Sequence, residues 1–187
     1  MQIDELTVGM VQTNCYILSK EGRQECVVID PGAEAARIRK HIGDRKIAAI
    51  LLTHGHFDHI GAVRELCDAQ LPKIIIHALD APMLTDPVLN ASAGLIGRNV
   101  TAPEATDTVK EGDELDLAGL KVKVLHTPGH TPGSVCYEIE GELFTGDTLF
   151  EYGWGRTDLP GGNEEQMEQS LRRLTPMVRS MAFHAGH

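Results

Sequence analysis

The stretch His54-Gly55-His56-Phe57-Asp58-His59 determines how the rest of this 187-residue chain is interpreted. It places three imidazoles and a carboxylate side by side, directly after the apolar run 47–52, which predicts a buried strand. Side chains two residues apart in an extended segment point to the same side, so His54 and His56 can converge. The neighbouring Asp58 and His59 diverge and are expected to serve an adjacent position. Because unpaired buried polar groups are costly, this density predicts a site for divalent metal ions.

Each metal position needs further ligands, because a catalytic zinc usually takes about three protein ligands and keeps one position open. Three candidates elsewhere in the chain directly follow a glycine: His130, Asp147 and His187. Glycine suits loops in which the backbone packs closely around a site. His126 precedes His130 in the same turn-rich segment and is an alternative that the spacing alone leaves open.

These residues together resemble the ligand pattern of the metallo-β-lactamase superfamily. The pattern is His54-x-His56-x-Asp58-His59, then His130, then Asp147 and a last Gly-His pair at 186–187, so it spans nearly the whole chain. Within the superfamily the chain is similar to the small glyoxalase II-like hydrolases. The segments that carry this second similarity are 127–134, 146–150 and 155–162.

The resemblance implies one α/β domain over residues 1–187, a four-layer αβ/βα sandwich of two mixed β-sheets flanked by helices. It implies a first metal position at His54, His56 and His130, and a second at Asp58, His59 and His187, with Asp147 bridging them. Zinc is the expected metal, and the mixed imidazole and carboxylate donors also suit iron and manganese. In the family a glycine and a helix follow the last histidine, so we expect the natural protein to continue beyond His187.

The resemblance and the chemistry together predict a metal-dependent thioesterase that acts on S-acyl glutathione-type substrates. Two ions that share one water lower its pKa toward about 7, which supplies a bridging hydroxide at neutral pH. Asp58 is the candidate catalytic residue that accepts its proton. A thiolate leaves without a strong general acid, whereas an amide nitrogen needs protonation, and the sequence shows no spare acid placed for that. A thioester is therefore favoured over a lactam or a peptide.

Two alternatives remain open from the sequence. Persulfide dioxygenases are similar to the same scaffold and use one iron, which here would be held by His54, His130 and Asp147. A lactonase or another ester hydrolase is the other alternative. Iron content and sulfur-dependent oxygen uptake distinguish the dioxygenase from the hydrolases.

The composition excludes several classes of function. The net charge of −10 disfavours nucleic acid as a partner, since such binding depends on Lys and Arg neutralising phosphates. The N-terminus lacks the pattern of a signal peptide, and no run approaches the ~20 apolar residues of a membrane span. The four cysteines show no CxxC pairing and are expected to be free thiols. We expect a cytoplasmic monomer or small homo-oligomer whose partner is a small-molecule thioester.

Four residues near the predicted site have two interpretations each. Asp30 follows a predicted strand, where it either accepts a proton from a ligand imidazole or makes a simple turn before Pro31. Arg156 and Asp158 form either a brace for the loop beside the site or a surface pair worth little. Trp154 is expected to pack in the core, with lining of the substrate mouth as the alternative.

Hydrophobic periodicity places the main elements and leaves residues 79–105 as short helices and loop. Asn163 is a predicted N-cap. The expected helices are 33–42, 60–69 and 164–174, and the expected strands are 13–18, 25–30, 47–52, 73–77, 121–125, 134–139, 142–144 and 181–183.

Overall fold

The structure is a computed structural model that describes residues 1–187, apart from the side chain of Ala69. Its first sheet has six strands, and the two antiparallel pairs β1–β2 and β2–β3 precede a parallel run from β3 to β6. In spatial order the strands are β1 (Gln2–Val8), β2 (Thr13–Ser19), β3 (Glu25–Ile29), β4 (Lys46–Leu51), β5 (Lys73–His77) and β6 (Asp107–Val109).

The second sheet is a meander closed by one parallel strand. Strands β7 to β10 are antiparallel neighbours, and β11 returns beside β10 in parallel. The strands are β7 (Glu114–Leu117), β8 (Leu120–His126), β9 (Val135–Ile139), β10 (Glu142–Gly146) and β11 (Phe183–Ala185).

Helices cover the outer face of each sheet. Ile38 of α1 and Leu66 of α3 pack with Val28 of the first sheet, whereas Leu174 of α5 packs with Leu143 of the second. A third apolar cluster lies between the two sheets. The layers therefore run helix, sheet, sheet, helix, and the predicted sandwich of two mixed sheets is confirmed. The helices are α1 (Ala35–Ile42), α2 (Phe57–Ile60), α3 (Val63–Ala69), α4 (Ser92–Ile96) and α5 (Glu164–Leu174).

Parallel pairing explains why polar residues gather at one edge of the first sheet. β3 and β4 point the same way, so Asp30 after β3 and Thr53 after β4 leave the sheet together. Both strands are apolar and buried for most of their length, as expected for parallel strands covered on both faces. Ligands of open α/β sheets bind outside the carboxyl ends of the strands, and the polar cluster lies at this edge.

Several predicted elements are confirmed, and others need correction. The helix Glu164–Leu174 has its predicted bounds, and the Asn163 side chain accepts a hydrogen bond from the Gln166 amide at 2.9 Å. The helix expected over 60–69 begins only at Val63, because Ile60 ends a separate short helix, Phe57–Ile60, that carries Asp58 and His59. The last strand begins at Phe183, two residues later than predicted.

Three edge strands, β1, β6 and β7, were not predicted. β1 alternates buried and exposed positions only at its end, where Leu6 and Val8 are buried, and its first half is polar. β6 has three residues, too few for a periodic signal. The segment 79–105 contains a 3₁₀ turn (Ala81–Leu84) and α4, as expected.

The cysteines and the helix lengths are two further features of the chain. The four cysteines are free thiols, and Cys67 is the half-buried one. Across the described residues, every helix falls short of the length and apolar character needed to cross a bilayer.

Tyr137 connects the two sheets by a hydrogen bond. It is fully buried on β9, and its hydroxyl donates to the Leu52 carbonyl after β4 at 2.8 Å. We expect Tyr137→Phe to lower the free energy of unfolding by about 1–2 kcal/mol, because a buried carbonyl loses its donor. Urea denaturation measures this change. Tyr152→Phe is the control, since Tyr152 is 90% exposed, and equal midpoints for both variants would contradict the prediction.

Candidate metal centre

Three imidazoles form the first part of the cluster. His54, His56 and His130 each present a ring nitrogen, and these nitrogens lie within 4.8 Å of one another. His56 Nδ1 is 2.9 Å from His130 Nε2. All three side chains are buried, and His54 and His56 lie in the loop after β4 rather than in the strand itself. The same-side convergence expected for a strand is thus produced by a loop.

A second group lies beside the first. Asp58, His59 and His187 also bring one donor atom each within 4.8 Å of the others. The Nε2 atoms of His59 and His187 are 3.6 Å and 3.3 Å from Asp58 Oδ2. Asp58 and His59 lie on the short helix α2, and His187 follows β11. The structure therefore joins residues from the two sheets at this point.

Asp147 lies between the two groups. Its Oδ2 atom is 3.5 Å from His130 Nε2 and 3.5 Å from His187 Nε2, and its Oδ1 atom is 3.3 Å from His59 Nε2. One carboxylate thus faces imidazoles of both groups. This position suits a ligand shared by two ions, the role implied by the resemblance.

The unpaired polar atoms of the cluster test whether a cation fits there. Buried nitrogen and oxygen atoms without a hydrogen-bond partner are rare in proteins, because their desolvation is not compensated. Most of those in the described part of this chain belong to the cluster, namely His54 Nε2, His56 Nε2, both ring nitrogens of His59 and Asp147 Oδ1. Imidazole and carboxylate donors fit divalent zinc, iron or manganese.

The two histidine groups differ in protonation. Burial lowers the pKa of His56 to about 3, and burial and neighbouring imidazoles hold the pKa of His54 well below its usual value. Burial also disfavours protonated His59 and His187, but nearby carboxylates outweigh it. They hold the pKa of His59 well above its usual value and raise the pKa of His187 to about 9. His54 and His56 are thus neutral, whereas His59 and His187 are protonated at neutral pH.

Asp58 and Asp147 are the carboxylates that keep those protons in place. Burial opposes ionisation of Asp147, yet His59 and the hydrogen bond from His187 hold its pKa well below its usual value. The same balance of burial against His59 and His187 lowers the pKa of Asp58. Both carboxylates are therefore ionised at neutral pH, as ligands must be.

Asp30 supports the loop that carries His54 and His56 by binding Thr53, the residue before His54. It accepts hydrogen bonds from the Thr53 amide at 2.8 Å and the Thr53 hydroxyl at 2.6 Å. Its Oδ2 atom is 3.1 Å from His59 Nδ1, although the two are not aligned for a hydrogen bond. The predicted contact with an imidazole of the cluster is therefore present at ion-pair distance, and the carboxylate also binds Thr53 rather than making only a turn before Pro31.

The Nδ1 atoms of His130 and His187 each lie close to a backbone carbonyl. His130 Nδ1 lies 2.7 Å from the Arg156 carbonyl, which fixes it as a donor and leaves Nε2 for the cluster. His187 Nδ1 lies 3.2 Å from the Val11 carbonyl. Tyr16 donates to the Ala185 carbonyl at 2.6 Å and so holds the segment before His187 against the first sheet.

Asp80 is a residue that the sequence analysis missed. Its buried carboxylate accepts hydrogen bonds from Gly55 N at 3.1 Å, Gly133 N at 2.7 Å and Thr131 Oγ1 at 2.6 Å. It thereby ties the loop of His54 and His56 to the loop of His130. No local pattern marks it, because its partners are distant in sequence.

Gly186 is required by close packing. A Cβ atom at this position would overlap Asp147 Oδ1 and approach His59 Cε1 at 3.0 Å. The glycine before His187 therefore lets the backbone pass directly against the cluster, as expected from the sequence.

A cavity of about 350 Å³ opens onto the cluster. Five of the seven clustered side chains reach it, and apolar side chains make up most of the remaining wall. The clustered residues are His56, Asp58, His130, Asp147 and His187, and the others are Val11, Phe57, Ala91, Leu95, Ile96, Phe150, Gly155, Arg156 and Leu159.

Other candidates from the sequence lie elsewhere. His126 stacks on His77 with ring centroids 4.2 Å apart and stays outside the cluster. Trp154 is 60% exposed, so its expected place in the core is wrong, because its neighbours Gly153 and Tyr152 put it on a surface turn. Arg156 and Asp158 form an exposed pair with two contacts of 2.6 Å.

Comparison with known proteins identifies the family. The sequence profile described as the metallo-beta-lactamase superfamily matches residues 8–187. The chain belongs to the metallo-beta-lactamase superfamily. The predicted resemblance is thereby confirmed, and the superfamily supports an enzyme with a hydrolase scaffold and a cluster fit for divalent metal.

Two curated relatives of the superfamily span almost the whole chain. The probable metallo-hydrolase YqgX of Bacillus subtilis is 38% identical over 192 residues, covering 100% of this chain and 90% of the relative. The hydroxyacylglutathione hydrolase GloC of Haemophilus influenzae is 34% identical over 202 residues, covering 100% of this chain and 91% of the relative.

Solved structures of the superfamily share the fold. BLEG-1, a B3 metallo-beta-lactamase, superposes with a TM-score of 0.93 at 36% identity, covering 100% of this chain and 91% of that chain. TTHA1623, solved in a di-iron-bound form, superposes with a TM-score of 0.85 at 36% identity, covering 98% of this chain and 91% of that chain. ETHE1 from Myxococcus xanthus superposes with a TM-score of 0.78 at 29% identity, covering 100% of this chain and 76% of that chain.

Removing the charge of Asp80 tests its positioning role. We expect Asp80→Asn to lower the free energy of unfolding by about 2–3 kcal/mol and zinc affinity by about 10–100-fold, because the amide keeps one acceptor oxygen and turns an NH2 group toward the remaining donors. Urea denaturation and competition with a chromogenic chelator measure the two effects. Asp44→Asn is the control, because Asp44 is exposed. A normal urea midpoint together with normal zinc affinity would show that Asp80 is dispensable.

Metal binding is expected to release protons. His187, with its pKa raised to about 9, is protonated at pH 7 in the metal-free protein and must become neutral to bind an ion. Zinc affinity should therefore rise with pH through about pH 9, where His187 loses its proton. Calorimetry in buffers of different ionisation enthalpy counts the protons released. Equal release at about pH 7 and about pH 10 would contradict the assignment.

Proposed function

We propose that this chain is a dinuclear metal-dependent hydrolase that cleaves thioesters of the S-acyl glutathione type. The observation that carries the proposal is the paired cluster at the floor of a cavity, with His54, His56 and His130 on one side and Asp58, His59 and His187 on the other. The similarity to a hydroxyacylglutathione hydrolase over the whole chain supports the substrate class.

The donor set defines which residues would hold the ions. His54 and His56 are neutral imidazoles, ready to bind without losing a proton, and His130 directs its Nε2 atom into the same group. Asp147 faces both groups and would be shared. Divalent ions bound there would lower the pKa of a coordinated water and polarise a substrate carbonyl.

The side chains of the cavity account for the remaining chemistry. Asp58 is ionised and lines the cavity, so its carboxylate is placed to accept a proton from the attacking water. Arg156 lines the same cavity, but its guanidinium is held by Asp158 and does not release a proton at neutral pH.

The leaving group decides between substrates. Water adds its oxygen to the carbonyl carbon, the carbon–sulfur bond breaks, and the electron pair leaves on sulfur, which is stable as a thiolate. An amide nitrogen would need a proton from a nearby acid. Among the cavity-lining residues that the structure describes, none is a Lys, Tyr or Cys, and the lining imidazoles would be occupied as metal ligands. A thioester is therefore the favoured substrate.

Hydrolysis of β-lactams is the second candidate, because the structure of a B3 metallo-beta-lactamase superposes with a TM-score of 0.93. A strained lactam needs less help from an acid than an ordinary amide does. Two further alternatives come from the sequence. One is a dioxygenase that uses a single iron held by His54, His130 and Asp147. The other is a lactonase or another ester hydrolase, which a lactone substrate tests.

A substrate panel tests the proposal. Metal content is first measured on protein purified without added metal, and zinc-, iron- and manganese-loaded samples are then assayed on S-lactoylglutathione, a chromogenic cephalosporin, a lactone and glutathione persulfide. We expect the thioester to be turned over fastest. Asp58→Asn should lower kcat/KM by about 10²–10⁴-fold, and Asp44→Asn should leave it unchanged. Thioester turnover no faster than with free metal ions would sink the proposal.

A further inference from the structure

One wall of the cavity is apolar and adjoins the residues of the cluster. Its members are Val11, Phe57, Leu95, Ile96 and Leu159, which we call the apolar cleft. Val11 is 44% exposed and Leu95 51% exposed, so this surface stays in contact with water until a ligand covers it. Exposed apolar surface inside a cleft indicates a binding site for an apolar group.

The cleft is held in place by backbone contacts. Asn90 is fully buried and donates to the carbonyls of Met83 and Val100, both at 2.9 Å. Its own carbonyl accepts from the Phe57 amide at 3.1 Å, next to Asp58. The short helix α4, which carries Leu95 and Ile96, is therefore tied to the loop of the cluster. The cleft is already formed in the free protein.

The apolar surface continues beyond the cavity. A second space of about 270 Å³ shares Val11, Phe57 and Ile96 with the first and extends between the β1–β2 turn and α4. The rest of its wall is mainly apolar, with Met10 and Val100 among the side chains, and it also includes Thr13 and Glu34. A linear group that starts at the cluster can thus extend past the shared residues toward a second, mainly apolar space.

Charges in the cavity argue against recognition of an anionic group there. Among the lining residues that the structure describes, Arg156 is the side chain with a permanent positive charge, and Asp158 occupies it through two contacts of 2.6 Å. A glutathione carboxylate bound along this wall would face Val11 and Leu95 without a counter-ion. An uncharged hydrocarbon chain matches the same surface without that desolvation cost.

Building on the thioesterase function proposed above, on which this assignment rests, we propose that the apolar cleft binds an unbranched, uncharged acyl chain. The preferred substrates are then medium-chain acyl thioesters rather than short hydroxyacyl ones. The carbonyl carbon lies at the cluster, and the chain runs past Phe57 between Val11 and Ile96. Each buried methylene contributes binding, so the specificity constant rises with chain length until the path ends.

A chain-length series tests the assignment. The metal-loaded enzyme is assayed on acetyl, butyryl, hexanoyl and octanoyl thioesters of N-acetylcysteamine, a neutral carrier. We expect kcat/KM to rise about two- to fourfold per methylene. Leu95→Ser and Val11→Ser should each lower the octanoyl-to-acetyl ratio of kcat/KM at least fivefold. Leu71→Ser is the matched control, because Leu71 is 97% exposed and lies before β5, at the sheet edge opposite the cluster.

The possible results distinguish a failure of the acyl-chain cleft from a failure of the proposed thioesterase function. A flat or falling series with clear turnover of S-lactoylglutathione would overturn the acyl-chain cleft and leave the thioesterase intact. An equal fall of the octanoyl-to-acetyl ratio of kcat/KM in Leu71→Ser would also overturn the acyl-chain cleft. The absence of turnover on every thioester would remove the thioesterase and the cleft together. Urea midpoints of the variants confirm that they fold, and calorimetric affinity for octanoate over butyrate gives a second measurement of the same preference.

Discussion

The structure depends on the concentration of buried donor atoms around Asp147. Its carboxylate faces three imidazoles within 3.5 Å, and ring nitrogens nearby have no hydrogen-bond partner in the protein. Isolated, each such atom would oppose folding. Together they form a cavity floor that is complementary to positive charge. In the metal-free chain, the protons on His59 and His187 supply part of that charge.

A cluster of this kind requires rigid support, and buried carboxylates outside it provide that support. Asp30 holds the strand end through Thr53, and Asp80 holds the loops of Gly55 and Gly133 together. Each accepts hydrogen bonds mainly from backbone amides or hydroxyl groups, so neither depends on a flexible cationic partner. The apolar layers on both sides of the sheets then fix the distance between these supports.

The sequence was informative where function and fold use the same residues. The density of ligand-type side chains at 54–59 and the glycines before His130, Asp147 and His187 indicated which parts of the chain should meet, and the fold class followed from the resemblance they carry. Asp80 was not predicted, because a single carboxylate in an irregular segment has no periodic signal. Trp154 was misplaced because composition alone cannot separate a core aromatic residue from one on a glycine-rich turn. The apolar cleft was also hidden, since it combines residues from β1–β2, α2 and α4.

The seven clustered residues come from both sheets, and Tyr16 of the first sheet also holds the backbone of Ala185 in the second. Any cation that binds the cluster therefore fastens one half of the sandwich to the other, much as a cross-link does, and it favours the folded chain by mass action. Loss of the cation would allow the edge strand β11 to separate first, exposing backbone to proteases. The stability of the folded chain would in this way depend on the concentration of free metal.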